Sequence, residues 1–265
     1  LLFLKYTILK YKSSIYIIKI ITMKIAVCLY GNVGFKEKLG GSDGNNLIPL
    51  PLEELYKSIK EFILDDNDCD IFIHSWSEDR KDEIINLYEP KKYLIEAQKK
   101  FAMSRKSKKH ATLSRWYSEC KSNELKKNYE IENGFLYDIV LHTRFDLKWF
   151  SKIDFKQTEK NTFYVSHWNE SINKNKLGPY NKSNVYVNYA FMDLWFYSGS
   201  KIMDKFSKIY KFRYMLYFLN YFRYNNHRFS YIITKLNKFT IQFNLYRGHD
   251  YEIYRRYERK DWKQS

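Results

Sequence analysis

Short apolar runs alternate with helical patterns from the first half of the chain onward. The run "KIAVCLYG" (Lys24–Gly31) is apolar and ends at a glycine, which predicts a buried strand followed by a tight turn. Residues 52–64, "LEELYKSIKEFIL", place their apolar side chains on one helical face. Residues 69–77, "CDIFIHSWS", predict a second strand. This strand, loop, helix and strand order predicts a parallel sheet with crossover helices.

The middle of the chain continues the alternation. Residues 91–132 are charged and helical in pattern, and residues 112–134 predict one long helix. Thr112 or Ser114 could cap its start, and Gly134 could stop it. Residues 137–149, "YDIVLHTRFDLKW", predict the third strand.

The last third predicts further strands and helices. Residues 161–168, "NTFYVSHW", predict a fourth strand, and a Gly, Pro and Asn loop follows at 175–184. Residues 191–212 predict a short strand through Phe196 and then a helix from Ser198 or Ser200. The tail, 225–256, predicts a helix and a late strand.

No repeat or linker interrupts residues 23–265, so we expect a single α/β domain with a Rossmann-like, mostly parallel sheet flanked by helices. Residues 1–22 are apolar but interrupted by lysines, and no run is long enough to span a membrane. We expect them to be an extension outside the core, with Met23 as the natural start. A basic helix lying at a membrane surface is the alternative.

The net charge of +16 is unevenly distributed. Residues 201–265 hold 15 Lys and Arg against 5 Asp and Glu, a local excess of +10. Such a surface attracts anions, although a merely solvated lysine-rich surface is the alternative. No zinc-finger spacing, RNP-like aromatic pattern or long basic arm is present, so we expect no nucleic-acid partner. The three cysteines form no CxxC pair, which favours free thiols in a reducing compartment.

Three predicted strands end in polar residues. In open α/β sheets, ligands bind beyond the carboxyl ends of the strands, so side chains at these ends are expected to form one site. The three ends are Tyr30-Gly31-Asn32, His74-Ser75-Trp76, and His142 with Arg144 and Asp146.

The third strand end carries the most specific chemistry. Arg144 could pair with a phosphate oxygen, and Asp146 could ligate a divalent metal through its oxygens. Alternatively, the two side chains form only an ion pair with each other. The glycine-rich segment after the first strand matches neither the P-loop nor the GxGxxG spacing, and neither HExxH nor GxSxG is present.

The order of these motifs resembles that of GT-A-type glycosyltransferases found among bacterial surface-polysaccharide genes and in large DNA viruses. The resemblance covers most of residues 23–256, and its most specific part is the block at 114–149. The matching segments are "KIAVCLYG", "DIFIHSW", "SRWYSECKSNELKKNYEIENGFLYDIVLHTRFDLKW", "DLWFYSGSKIMDKFSKIY", "NNHRFSYIITKLNKF" and "DYEIYRR".

The resemblance implies an enzyme that transfers a sugar from a nucleotide-diphosphate sugar to a glycan or other acceptor hydroxyl. A DxD-type motif would hold the metal and the diphosphate, and here that position is Arg144-Phe145-Asp146. Since arginine replaces the first acidic residue, either Arg144 neutralises the diphosphate itself or Asp146 alone holds Mg²⁺ or Mn²⁺. We expect a cytoplasmic protein that can contact an anionic membrane peripherally.

The remaining site predictions follow from this chemistry. Asp193 is the candidate general base for an inverting transfer, although a turn aspartate is the alternative. Trp76 and Trp195 could stack on sugar rings or belong to the core. His227 and Asp250 are weaker candidates for contact with the acceptor or the diphosphate. The predicted donor-binding set is Tyr30, Gly31, Asn32, His74, Trp76, Arg144 and Trp195.

Two other functions remain open on sequence grounds. The basic, aromatic tail could make the chain a non-catalytic module that binds acidic glycans, lipid or nucleic acid. A transferase moving a nucleotidyl or phosphoryl group would need a similar anion-binding strand end.

Overall fold

The computed structural model describes residues 6–11, 14–19, 23–34, 49–101, 108–166 and 191–254. The predicted loop at 175–184 and most of the glycine-rich segment after Gly34 lie outside the described residues.

Eleven strands and six α-helices make up the described part of the chain. In chain order they are β1 (Tyr6–Tyr11), β2 (Ser14–Lys19), β3 (Lys24–Gly31), α1 (Leu52–Ile59), β4 (Asp68–Ser75), α2 (Lys81–Tyr88), β5 (Lys92–Ile95), α3 (Lys108–Asn133), β6 (Ile139–Arg144), β7 (Leu147–Trp149), β8 (Thr162–Ser166), β9 (Trp195–Ser198), α4 (Ser200–Phe206), α5 (Arg213–Leu219), α6 (Asn226–Leu236), β10 (Thr240–Asn244) and β11 (Tyr251–Ile253).

A seven-stranded sheet in the order β10-β8-β9-β6-β3-β4-β5 forms the centre of the molecule. Only β9 runs antiparallel to its neighbours, and the other pairs are parallel. If only the strands of this sheet are counted in chain order, β3 is the first, β4 the second, β5 the third and β6 the fourth. This 3-2-1-4 order is that of a Rossmann-like half, and its switch point lies between β3 and β6. The predicted α/β class with a mostly parallel sheet is confirmed.

Each face of the sheet carries its own apolar core. On one face, α1, α2 and a small antiparallel sheet of β7 and β11 cover side chains such as Val27 and Leu29. On the other face, α3, α4 and α6 cover Ala26, Cys28 and Val140. Alternate side chains of β3 therefore belong to the two cores, as expected for a strand buried on both sides.

The long helix α3 begins earlier than the sequence predicted. It starts at Lys108, so Thr112 and Ser114 lie inside it and neither caps its start. Its end was predicted correctly, because Gly134 adopts a left-handed φ of 68° directly after the last helical residue. The charged segment at 91–132 is also not uniformly helical, since Lys92–Ile95 pairs with β4 as the edge strand of the sheet.

The third predicted strand is divided. Its first part is β6, in the large sheet, and its last three residues form β7, which pairs with β11 in the separate two-stranded sheet. The chain therefore turns at Phe145 and Asp146, at the carboxyl end of β6. This turn directs the backbone away from the sheet at the switch point.

The extension before Met23 forms strands instead of the alternative helix. β1 and β2 pair with each other in an antiparallel hairpin, with Tyr6 opposite Lys19. No described helix has both the length and the apolar character needed to cross a membrane. The three cysteines are free, and burial raises the pKa of Cys69 and Cys120 to about 12, so these thiols are protonated near neutral pH.

Candidate functional site

Three strand ends meet in one row at the carboxyl edge of the sheet. Tyr30 at the end of β3 lies directly opposite His74 of β4 on one side and Arg144 of β6 on the other. Neighbouring strands are about 5 Å apart, so the three backbones span about 10 Å. The row includes the switch point between β3 and β6, where ligands bind in sheets of this order.

The turn after β3 is built from small polar groups. Gly31 has a φ of 116°, which side chains with a Cβ rarely adopt, and its N–H donates to Ser118 Oγ at 2.9 Å. Asn32 Oδ1 accepts from the N–H of Gly34 at 2.6 Å and from Ser77 Oγ at 2.9 Å. Gly31 and Asn32 therefore shape the turn.

Arg115, from the first half of α3, links two of the predicted residues. Its Nη2 donates to the Tyr30 hydroxyl at 2.8 Å, and its Nη1 lies 3.0 Å from Asp193 Oδ2. Nη2 also donates to the backbone carbonyl of Asp193. Within the described residues, the buried Nε of Arg115 has no hydrogen-bond partner. Nη1 likewise makes no hydrogen bond there, although it is within ion-pair distance of Asp193. The guanidinium therefore lies between the phenol and the carboxylate with two of its nitrogens not hydrogen-bonded.

Asp193 is buried and surrounded by cationic groups. His227, in the first turn of α6, places Nδ1 3.1 Å from Asp193 Oδ1. Burial alone would raise the pKa of this carboxyl, but Arg115, His227 and Arg144 together hold it well below its ordinary value. Asp193 is therefore a permanent carboxylate with little tendency to accept a proton, which makes it a poor general base.

His227 is more exposed than Asp193 and contacts it directly. Its Nδ1 faces two acceptors, Asp193 Oδ1 and the carbonyl of Phe191 at 2.8 Å. Nδ1 must therefore carry the proton in the neutral ring. The side chain of His227 is 34% exposed, whereas that of Asp193 is 8% exposed.

Arg144 and Asp146 form the ion pair that the sequence left as the alternative. Nε and Nη2 of Arg144 donate to Oδ1 and Oδ2 of Asp146 at 2.8 and 2.6 Å, in a bidentate geometry. The Arg144 side chain is 29% exposed and that of Asp146 is 11% exposed. The guanidinium is thus held in a fixed orientation while part of it still faces solvent.

This arrangement does not provide the ligand set of a Mg²⁺ or Mn²⁺ site. Both carboxylate oxygens of Asp146 accept from a cation, and the neighbouring carboxylate, Asp193, is neutralised by Arg115 and His227. Hard divalent cations need several oxygen ligands. In the part of the chain that the structure describes, no group of three His, Cys, Asp or Glu side chains could hold a metal. The residues present fit an anion better than a cation.

His74 and Trp76 face α3 and pack in the interior. His74 is fully buried, with Nδ1 2.7 Å from Ser118 Oγ and Nε2 3.3 Å from Glu96 Oε1. Trp76 is 3% exposed and stacks on Tyr117 with ring centroids 5.3 Å apart. In this structure both side chains support the end of β4, and neither presents a surface to a sugar.

Two other predicted residues also have structural surroundings. Trp195 is fully buried against Trp149 and Tyr197, in the core beneath the sheet. Tyr254, directly after β11, donates its N–H to the carbonyl of Asp146. Asp250 precedes the opposite end of β11, so four residues of extended chain separate it from Tyr254 by about 13 Å. Its carboxylate accepts from the N–H of Tyr246, which makes it part of a turn.

The structure therefore brings together a smaller set than the sequence predicted, and adds one residue. We call this set the strand-end cluster. It consists of Tyr30, Arg115, Arg144, Asp146, Asp193 and His227. Two cavities in the described part of the chain lie elsewhere, one of about 270 Å³ near the end of α3 and one of about 470 Å³ beside β10.

Arg115 is the residue that sequence reasoning missed. It lies inside a charged helix where an arginine is ordinary. The available signal was the spacing of Arg115, Ser118 and Ser122, which places them on one face of α3. Only the contact between α3 and the strand ends shows that this face points at the site.

Comparison of the sequence with family models and with curated proteins gives no match. The resemblance to GT-A-type glycosyltransferases therefore rests on the sequence segments quoted above.

Proposed function

We propose that the chain is a glycosyltransferase of GT-A type that moves a sugar from a nucleotide-diphosphate sugar to an acceptor hydroxyl. The observation that carries the proposal is the pair of guanidinium groups at the switch point, Arg115 and Arg144, beside a buried carboxylate that holds a histidine. Two fixed cations suit a diphosphate, and the carboxylate and histidine suit proton removal from a hydroxyl.

The partly exposed face of Arg144 is the proposed contact for the diphosphate. Because Asp146 orients the guanidinium through two hydrogen bonds, the cation is positioned before the donor arrives. As the bond from the anomeric carbon to the leaving oxygen breaks, negative charge grows on the diphosphate. A preorganised cation stabilises that charge more in the transition state than in the ground state, which lowers the barrier.

His227 is the proposed general base, and Asp193 is its positioning residue. The acceptor oxygen forms a bond to the anomeric carbon while the nucleoside diphosphate leaves with the electron pair of the old bond. The hydroxyl proton passes to Nε2 of His227. Asp193 then stabilises the imidazolium through Nδ1, at 3.1 Å, and remains ionised itself. This assignment replaces the sequence-based one, in which Asp193 took the proton.

The test is a screen of nucleotide sugars with the full chain, with and without Mn²⁺, read by the mass of the product. We expect sugar transfer to an acceptor or to water, and a fall in kcat of about 10²–10⁴ in His227→Gln. His249→Gln is the matched control, because His249 is 62% exposed and contacts Asp250 outside the cluster. Turnover of no nucleotide sugar, or full activity of His227→Gln, would contradict the proposal.

Product mass also separates the competing transferases. Transfer of a nucleotidyl or phosphoryl group would give a different mass from transfer of a sugar. A non-catalytic binding module is favoured by a different observation, the exposed aromatic and basic residues after α4. It predicts binding that does not respond to substitution of His227 or Arg144.

A further inference from the structure

A group of large apolar side chains is exposed along one short segment. Seven of the twelve exposed large hydrophobic residues of the described chain lie between positions 212 and 222. We call them the aromatic surface. They are Phe212 (42% exposed), Tyr214 (58%), Met215 (40%), Phe218 (63%), Leu219 (48%), Tyr221 (78%) and Phe222 (63%). Contiguous exposed apolar groups of this kind mark interaction sites.

The aromatic surface has a defined backbone. In α5, only Leu216 is buried, so this residue anchors the helix while its neighbours face outward. Tyr221 and Phe222 both have left-handed φ values, 50° and 59°. This conformation is unfavourable for bulky residues, and such strain is concentrated at functional sites.

The turn that holds these two rings is hydrogen-bonded. Phe222 N–H donates to the carbonyl of Tyr217 at 3.0 Å, and the side-chain amide of Asn220, a residue that is 1% exposed, donates to the carbonyl of Arg223 at 3.0 Å. A specific, strained turn therefore presents two of the most exposed aromatic rings among the described residues.

The charged residues of the segment that carries the aromatic surface have one sign. Residues 205–249 contain nine Lys and Arg and no Asp or Glu. These cations are Lys205, Lys208, Lys211, Arg213, Arg223, Arg228, Lys235, Lys238 and Arg247. In the fold, two of these cations contact carboxylates from outside the segment: Lys211 lies 3.9 Å from Glu124 Oε1 and Arg247 pairs with Glu252. A surface with this charge repels a second copy of itself and attracts an anionic partner.

Exposed aromatic rings among cations match the chemistry of an anionic lipid surface. Aromatic side chains settle at the level of the headgroups, aliphatic ones reach the acyl chains, and Lys and Arg pair with anionic headgroups. Single-stranded nucleic acids also bind aromatic and basic residues, but in grooves that follow the backbone. Here the residues lie on a short helix and on the turn that follows it, and Phe218, Leu219 and Met215 add apolar area that no phosphate backbone would use.

We propose that the aromatic surface docks the protein on a membrane that contains anionic phospholipids. The docked segment leads directly into α6, whose first turn holds His227 against Asp193. Lys109, near the start of α3, lies 5.4 Å from the ring centroid of Tyr224 in the same connection. The aromatic surface and the strand-end cluster are therefore linked through α6 and the connection that precedes it. The docking does not depend on the proposed function, since it concerns a different surface.

The experiment is flotation of the full chain with vesicles of phosphatidylcholine alone or mixed with phosphatidylglycerol. We expect binding to the mixed vesicles only, and weaker binding as salt rises. Phe218→Ser with Phe222→Ser should lower the partition coefficient about tenfold per ring, about 100-fold in all, because the burial of both rings is lost. Lys208→Gln with Lys211→Gln should lower it about fivefold per charge.

Matched controls lie on other faces. Ile131→Ser with Leu136→Ser removes two apolar residues that are 69% and 53% exposed, at the far end of α3. Lys57→Gln with Lys81→Gln removes two exposed charges on the other face of the sheet. Both control pairs should bind vesicles like the parent chain, and unchanged melting temperatures of all variants show that folding is intact.

Three results would overturn the proposal. The first is no binding to the mixed vesicles. The second is binding to a single-stranded oligonucleotide that depends on Phe218 and Phe222 while vesicle binding does not, which would assign the surface to nucleic acid. The third is a concentration-dependent dimer in sedimentation that the Phe218 and Phe222 substitutions abolish.

Discussion

Helix α3 contributes charged side chains to two regions that are built on opposite principles. Near its carboxyl half, Lys126 is fully buried and uses its three donors on Glu130 at 2.9 Å, Asp204 at 2.9 Å and Ser200 at 2.7 Å. Ser200 in turn donates to Glu130 at 2.6 Å. We call these four residues the inner network. Each donor of the ammonium has one acceptor, so the network is closed.

The strand-end cluster, on the amino-terminal half of the same helix, is not closed. Arg115 keeps a buried Nε without a hydrogen-bond partner among the described residues, and Arg144 is 29% exposed. A closed network contributes to stability and specificity, whereas an open one has donors left for a ligand. Substitutions in the two regions should therefore separate stability from binding.

The largest expected effect comes from opening the inner network. Lys126→Met leaves the buried Glu130 carboxylate without its cation, and breaking a buried pair in this way costs about 3–5 kcal/mol of unfolding free energy. Urea denaturation measures it. Lys127→Met is the matched control. The Lys127 side chain is 50% exposed, and its Nζ makes a long contact of 3.8 Å with Asp204 Oδ2. That control should change stability by less than about 1 kcal/mol, and an equal loss in both variants would contradict the account.

A pH titration should show the next largest effect, at His74. Burial lowers the pKa of this residue from 6.5 to about 4, despite the hydrogen bond to Glu96. As the pH falls, His74 therefore takes up a proton in the unfolded chain before it does so in the folded chain. The contribution of neutral His74 to the free energy of unfolding is fully present above the unfolded pKa and is lost as the pH falls toward the folded pKa. Between about pH 7 and about pH 5 the loss should be about 2 kcal/mol.

The contribution of His74 is isolated by comparing the pH dependence of the unfolding free energy in the parent chain and in His74→Gln. His74→Gln should lower stability overall and should also flatten its dependence on pH in this window. The pKa of Glu96 is lowered, which adds a loss in the same direction at lower pH. A parent chain whose unfolding free energy is the same at both pH values would contradict the buried, neutral His74.

The smallest effect on stability, and the largest on ligand binding, is expected at Arg144. Because this side chain is partly exposed, Arg144→Ala should cost only about 1 kcal/mol of stability. Loss of a charge-assisted hydrogen bond worth about 1.5–3 kcal/mol should weaken nucleoside-diphosphate binding about 10- to 100-fold in calorimetry. Arg223→Ala, outside the cluster, should leave that affinity unchanged. A variant of Arg144 that binds as tightly as the parent chain would place the diphosphate elsewhere.

The fold was largely predictable because its strands are short apolar runs with clear ends. Lys24–Gly31 was predicted residue for residue, and the helix after Gly199 begins at Ser200, one of the two starts that the sequence predicted. The prediction was wrong where tertiary pairing overrides the local pattern. The short β5 lies in a segment whose charged residues gave a helical pattern, and β7 continues β6 in sequence but belongs to a different sheet.

The candidate site was predictable in part for the same reason. Tyr30 and Arg144 lie side by side through the pairing of β3 with β6. This was predictable because both residues stand at the ends of predicted parallel strands. The orientation of His74 and Trp76 toward α3 could not be read from their position at a strand end, because the helix that covers them is far away in sequence. The role of Arg115 depends on that same packing.

The most direct test of the central claim is the melting temperature of the chain with saturating UDP or GDP. Ligand at about 100 times its dissociation constant adds about 2.7 kcal/mol of stability, which corresponds to a rise of roughly 5–10 °C for a domain of this size. We predict this rise in the parent chain and, at the same ligand concentration, a rise about half as large or smaller in Arg144→Ala. An unchanged melting temperature with every nucleoside diphosphate, with or without Mn²⁺, would contradict it.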